Sequence, residues 1–264
     1  MARLPARNSA ARRDSIVALL KEQGDISVEY LSRHFGTSEV TIRKDLSWLE
    51  RQGVLIRRYG GAALLTQESD ALSGQRDGVS ATPLKCRIAQ AARARIQDHA
   101  RIVIDSGSTT RALISELADI NGLKVMTNSL EVASQVLMLP NHPSLLMTGG
   151  TWDEGSRAFQ GQTAEAVLRS YDFDQLFVGA DGIDAARGST TFNELLTLSR
   201  VMAEVSNEVI LMAEAAKVGR RMPNVELGWE NIDVLITDSQ LEPAQHAEIC
   251  SHDVEIVMVE HPPD

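Results

Sequence analysis

Ser38-Glu-Val-Thr-Ile-Arg-Lys-Asp-Leu-Ser-Trp-Leu-Glu-Arg51 is the stretch whose reading decides the fold of the front of this chain. Ile42, Leu46 and Leu49 recur at i, i+4 and i+7, the buried stripe of an amphipathic helix. Glu39, Thr41, Arg43 and Lys44 lie near its start and off that stripe. Ser38 suits an N-cap, and Gly53 suits a stop. Just upstream, Val28 to Phe35 carries a second stripe (Val28, Leu31, Phe35) behind the N-cap candidate Ser27, and only Gly36 and Thr37 separate the two helices. Ser9 to Gln23 is a third helical pattern, with Ile16, Leu19 and Leu20 on one side and Gly24 at its end. Downstream, Val54 to Leu65 reads as two short strands around Gly60-Gly61, a hairpin signal, with Arg57 and Arg58 side by side on it.

These parts suit a DNA major groove. A recognition helix enters the groove with its N-terminal residues facing the base edges. Arg43 suits a bidentate bond to a guanine edge, and Thr41 suits a thymine methyl or a phosphate. Lys44 suits a phosphate, which positions without reading sequence. Arg57 and Arg58 suit the flanking backbone or a minor groove. Charge agrees: the chain has a net charge of −10, but residues 1–65 hold 11 Lys and Arg against 7 Asp and Glu, leaving +4 there and −14 in the remainder. Screening limits electrostatic reach to about 8–10 Å, so a basic head on an acidic body still binds an anion locally.

The 264 residues leave room for two domains. No apolar run is long enough to span a membrane, and no apolar segment follows the basic start as in a signal peptide, so a cytoplasmic protein is expected. Cys86 and Cys250 have neither metal nor redox spacing and read as reduced thiols. The six histidines are scattered, so neither a metal nor a cofactor is expected.

Residues 66–82 are polar and without period, as in a linker between a 1–65 domain and an 83–264 domain. Pro83 to His99 reads as a helix. Apolar runs then recur at Arg101–Ile104, Leu123–Thr127, Ser144–Thr148, Gln175–Val178, Glu208–Met212, Asp233–Thr237 and Val254–Val259, with helical stretches between several of them. Continuous apolar runs suit strands buried on both faces, hence an α/β domain with a mainly parallel sheet.

Ile102-Val-Ile-Asp-Ser-Gly-Ser-Thr-Thr110 is a strand running into a polar loop ahead of a helix, Arg111 to Ala118. Asp105, Ser106, Gly107, Ser108, Thr109 and Thr110 there form a candidate cradle for a phosphate ester. Comparable small polar turns follow other strands: Thr127-Asn128-Ser129, Thr148-Gly149-Gly150-Thr151 and Gly179-Ala180-Asp181-Gly182. In an open parallel sheet such loops gather at one edge and form the ligand crevice. Asp181, Asp184, Asn193 and Glu194 suit sugar hydroxyls, and Lys217 suits phosphate. The rival is an enzyme in which Asp181, Asp184, Glu194 and Lys217 move a proton, but no histidine lies within these motifs to help.

The strings TIRKDL (Thr41–Leu46), LERQG (Leu49–Gly53) and RRYGGA (Arg57–Ala62) resemble the winged helix-turn-helix of the DeoR family of bacterial sugar-catabolism regulators. The likeness continues over 84–260 through DSGSTT, TNS, GGT, VGADGID and TTFNE. It implies that Ser38, Thr41, Arg43 and Lys44 face DNA, with Arg57 and Arg58 on the wing. It implies a sensor related to the sugar-phosphate isomerase fold, holding a phosphorylated sugar or sugar alcohol. Within the family, TIRKDL, FDQLFVG (Phe173–Gly179), TTFNELLTLSRVM (Thr190–Met202) and GRRMPNV (Gly219–Val225) are most similar to regulators of glucitol (sorbitol) catabolism, with galactitol regulators nearly as similar around GADGIDAARGSTTFNE. A repressor relieved by its effector is the expectation, an activator the alternative, working as a homodimer or homotetramer because two-fold operators reward paired heads. One departure stands out: where the family usually carries Asp-Ser-Ser-Lys, this chain has Glu214-Ala215-Ala216-Lys217.

Overall fold

The computed structural model describes residues 9–23, 26–51, 55–58, 61–64, 81–154, 156–191, 193, 196–220 and 222–262. The chain divides into two compact units, one up to Gln75 and one from Arg76.

The N-terminal unit runs α1 (Ser9–Gln23), β1 (Ile26–Ser27), α2 (Val28–Phe35), α3 (Glu39–Arg51), β2 (Leu55–Arg58) and β3 (Gly61–Leu64). Ser27 caps α2 by accepting the Tyr30 amide at 3.1 Å. Gly36, at φ 60°, ends it in the left-handed turn that a Cβ disfavours. Ser38 then starts α3: its Oγ accepts the Thr41 amide at 3.3 Å, and its carbonyl accepts those of Thr41 and Ile42. Ile16, Leu20, Leu31, Ile42, Leu46 and Leu49 form the core. Arg58 pairs with Gly61 across the hairpin, whose turn residues Tyr59 and Gly60 lie outside the described residues. The two-residue strand β1, not anticipated from the sequence, joins the hairpin through Ile26–Ala62.

In the C-terminal unit α4 covers Pro83–Arg93, with Thr82 as its N-cap, and stops short of the expected His99. Ala94 is its C-cap, and just beyond it the Arg93 side chain donates to the Ile96 carbonyl at 3.1 Å. The chain then enters a seven-stranded parallel sheet: β4 (Arg101–Ile104), β5 (Lys124–Thr127), β6 (Ser144–Met147), β9 (Phe173–Val178), β12 (Ser206–Met212), β14 (Val234–Asp238) and β15 (Glu255–Val259). Their spatial order is β15-β14-β12-β9-β4-β5-β6. All seven expected apolar runs are in it, and alternate residues feed opposite cores. Val103, Leu176 and Leu211 meet α7 (Gln162–Leu168), α8 (Thr197–Glu204) and α9 (Pro243–Cys250). Ile102, Ile104, Phe177 and Ile210 meet α4, α5 (Ser108–Ala112) and α6 (Leu130–Val136).

Two additions escaped the sequence reading. A hairpin, β7 (Thr151–Asp153) with β8 (Ala158–Gln160), follows β6. A small antiparallel sheet joins β10 (Gly182–Asp184), β11 (Gly188–Thr191) and β13 (Asn224–Gly228). β11 and β13 approach so closely that a Cβ on Gly188 would lie 2.1 Å from the Leu227 carbonyl oxygen. The helix expected from Arg111 to Ala118 is also corrected. It starts at Ser108, ends at Ala112 and continues as a 3-10 turn over Ile114–Leu117.

Candidate nucleic-acid interface and ligand crevice

On α3 the inward stripe leaves Val40, Arg43, Lys44, Ser47 and Trp48 facing outward, and with Arg13 of α1 they line one shallow groove. Arg43 is exposed and donates to Glu39 at 2.7 Å, a surface pair that opens at little cost. Ser38 is exposed, but Thr41 is half-buried with its hydroxyl 2.9 Å from that of Ser38, so its polar atom serves the helix start. Lys44 is exposed in the groove. Arg57 and Arg58 fall on β2, and their side chains lie outside the described residues.

The sequence reading missed what fixes α1 to α3. Asp45 is 2 % exposed and accepts Arg12 Nε at 2.6 Å and Arg13 Nε at 2.9 Å. The Arg13 guanidinium also lies 4.3 Å above the Trp48 ring. A carboxylate on the same side as Ile42 and Leu49 was the available signal, since a buried charge demands a partner.

In the C-terminal unit the chain winds outward from β4 in one direction through β5 and β6, and in the other from β9 through β12, β14 and β15. The reversal lies between β4 and β9, where an open sheet leaves a crevice outside its strand ends. Asp105 follows β4 and the Gly179–Asp181 loop follows β9, so both border this switch point. Asp105 is surrounded by protein yet still reached by solvent. Burial pushes its carboxyl pKa up, the Asp181 charge adds to that, and hydrogen bonds from Ser106 and Asn128 oppose it. Asn128 Nδ2 donates to Asp105 Oδ1 at 2.9 Å, while the Asn128 Oδ1 is buried without a partner.

The neighbouring hydroxyls divide into two sets. Thr110 is fully buried and donates back to the carbonyls of Asp105 and Gly107, so it shapes the loop. Thr127 accepts the Ser129 amide, and Ser129 caps α6 through the Val132 amide, so these two are also occupied. Ser106 and Ser108 are half-buried, and Thr109 is 3 % exposed with its Oγ1 unpartnered. Gly107 is exposed between them. After β6, Gly149 takes φ 62°, and Gly150 passes the Gln160 carbonyl so tightly that a Cβ would lie 2.5 Å from it. Near this rim Arg111 and Arg157 both bond Glu131, the latter at 2.6 Å.

On the other side Asp181 accepts the Thr191 hydroxyl at 2.7 Å. Lys217 Nζ donates to the Ala180 carbonyl at 2.6 Å. Burial lowers the Lys217 pKa, while the charges of Asp181 and Glu214 hold it up. Asp184 instead locks the β10–β11 turn, accepting the Ala186 amide and Arg187 Nε at 2.8 Å. Asn193 accepts the Asn224 side chain on its carbonyl, and Glu194 lies outside the described residues. Where the usual hydroxyls are missing, Asp238 accepts the Ala215 amide at 2.7 Å, so the Glu214–Lys217 turn has another anchor. Glu214 itself pairs with Lys85, 3.8 Å away.

Glu226 on β13 was not foreseen. It accepts the Ser199 hydroxyl at 2.7 Å, and burial pushes its pKa up to about 8, with the charges of Asp105 and Asp181 adding to the rise. It is therefore largely protonated at neutral pH, so its carboxyl is able to donate as well as accept. No sequence pattern marked it, because those two charges arrive from β4 and β9, far away in the chain.

Residues 12–68 match the DeoR-like helix-turn-helix domain, and residues 80–239 match the DeoR C terminal sensor domain. The chain belongs to the DeoR family of transcriptional regulators. This DeoR-family chain is 36% identical over 255 residues to a putative aga operon transcriptional repressor of Escherichia coli O157:H7, covering 95% of this chain and 94% of that protein. It is 34% identical to the regulator GlpR of Haloferax volcanii, covering 94% and 97%. It is 31% identical to the transcriptional repressor AccR of Agrobacterium fabrum, covering 86% and 89%. These relatives are regulators, as this DeoR-family chain is, rather than enzymes; none of the three is named for glucitol. Ribose 5-phosphate isomerase A of Methanocaldococcus jannaschii aligns over 53% of this chain and 55% of its own, at 19% identity and a TM-score of 0.39, too loosely to bear weight. Among the described residues no helix is long and apolar enough to cross a membrane.

Proposed function

We propose that this DeoR-family regulator represses a sugar or sugar-alcohol catabolic operon and is released from its operator by a phosphorylated sugar or sugar alcohol. The supporting observation is the convergence at the switch point: Asp105, Asn128, Asp181 and Glu226 offer acceptors and donors suited to a polyol chain, and Lys217 offers the cation. Residues 1–65 act as the DNA-binding domain, 66–82 as a linker and 83–264 as the sensor. Ser38, Thr41, Arg43 and Lys44 face the operator, with Arg57 and Arg58 on the wing. The phosphate group sits against the loop of Ser106, Gly107, Ser108 and Thr109, opposite Asn128, Gly149 and Gly150. Glucitol phosphate is the first ester to test, on the strength of the FDQLFVG, TTFNELLTLSRVM and GRRMPNV strings. A dimer or tetramer in the cytoplasm fits two-fold operators.

A switch from 1:99 to 99:1 occupancy requires the effector to favour the released state by about 5.5 kcal/mol. A mobility shift of the full-length chain on the DNA upstream of its neighbouring operon, titrated with hexitol and hexose phosphates and with the unphosphorylated compounds, tests the proposal. Release by an ester at concentrations where the free sugar is inert is expected. Release by the free sugar alone overturns the phosphate assignment.

A further inference from the structure

We infer that Val40 reads the 5-methyl group of a thymine in the operator. The inference rests on the head being a major-groove reader. Val40 lies in the first turn of α3 and is 59% exposed. A β-branched side chain lowers helix propensity, and here little burial repays that loss. It shares its groove with Arg13, Arg43, Lys44, Ser47 and Trp48, so an apolar surface sits among cations and a hydroxyl. Trp48 lies two turns further along the helix under the Arg13 guanidinium. That leaves Val40 as the apolar group near the leading end.

The chemistry of the groove limits what it can meet. Arginine, lysine and serine are matched by phosphates and by the nitrogen and oxygen edges of bases. The thymine methyl is the apolar feature of the major-groove edge. Thr41, the other methyl-bearing candidate, is half-buried, bonded to Ser38 and outside the groove lining. The proposal thus places the thymine contact on Val40, one residue before Thr41 and about 100° around the helix from it.

The test uses the full-length chain and a duplex that it selects from a random pool. Each thymine is replaced singly by deoxyuridine, which keeps base pairing and removes only the methyl group. One such replacement is expected to weaken binding about fourfold, the worth of one buried methyl-sized group. Val40→Ala should lose the same factor on the thymine duplex and nothing further on that deoxyuridine duplex. Alanine is the better helix former, so α3 is kept. Equal losses by Val40→Ala on both duplexes, or no sensitive thymine at all, overturn the assignment. Failure to select any duplex overturns the DNA reading itself and is a distinguishable result.

Discussion

The Asn128 side-chain amide donates to Asp105 Oδ1 at 2.9 Å, tying the loop after β5 to the loop after β4. The bond fixes the amide's orientation, since turning it over would set two oxygens against each other. It therefore fixes where the unpartnered Oδ1 points.

Asn128→Asp replaces that donor with a second acid beside Asp105. Release of the operator by the effector should then need at least about tenfold more ligand, the scale of a lost hydrogen bond to a charged group. Affinity for DNA without effector should stay unchanged. Wild-type release in a mobility shift would remove Asp105 and Asn128 from the ligand site.

Glu226 yields a pH prediction. Its pKa rises from the ordinary 4.5 to about 8 in the folded chain, so the folded state holds a proton that the unfolded state has released. Its contribution to stability is full below about pH 4.5, declines as pH rises and is gone above about pH 8. Glu226→Gln keeps an acceptor for Ser199 and cannot ionise. The difference between variant and natural chain in urea midpoints should therefore grow in favour of the variant from pH 5 to pH 8. A constant difference would contradict the shift.

Arg43→Ala should weaken operator binding by roughly 1–3 kcal/mol and relax preference at one base pair. Binding by the natural chain should also fall steeply with salt, with a log–log slope of about −0.9 per phosphate neutralised. Unchanged discrimination among single-base operator variants would deny Arg43 a reading role.

Asp45→Ala removes the carboxylate that α1 and α3 share and leaves the Arg12 side chain, 9% exposed, without it. Loss of one partner from a buried ion pair costs about 3 kcal/mol. Helical signal from the N-terminal unit should be lost at lower temperature, while the melt of the C-terminal unit is unchanged. Equal melting of variant and natural chain would mean that the pairing contributes nothing.

The parallel sheet was legible because its strands are apolar on both faces and contrast with their surroundings. The antiparallel strands Gly182–Asp184 and Gly188–Thr191 were not. Gly-Ser-Thr-Thr is polar in composition, yet all four residues are buried on the middle strand of that sheet, between β10 and β13. Among the candidate site residues, Asp105 stood out as a polar group at a strand end and Lys217 as a cation in a turn further along. Asp184 stood out equally but holds a turn, a distinction set by Arg187 and invisible to spacing. Glu226 and the Arg12–Asp45–Arg13 cluster depend on partners brought together only by folding. Val40 was hidden for the opposite reason: an apolar side chain in an amphipathic helix is ordinarily assigned to the core.

Pairing of β4 with β9 joins Ile104 to Phe177, while the intervening chain first builds β5, β6 and a hairpin. On the ribosome, β4 must wait with one edge bare until Phe173–Val178 has emerged. A message truncated before that point would yield a polypeptide with a sticky apolar border, prone to clump with its siblings. The berth proposed for the metabolite straddles this seam, so a nascent chain gains no capacity to respond before Phe173–Val178 has docked beside Arg101–Ile104.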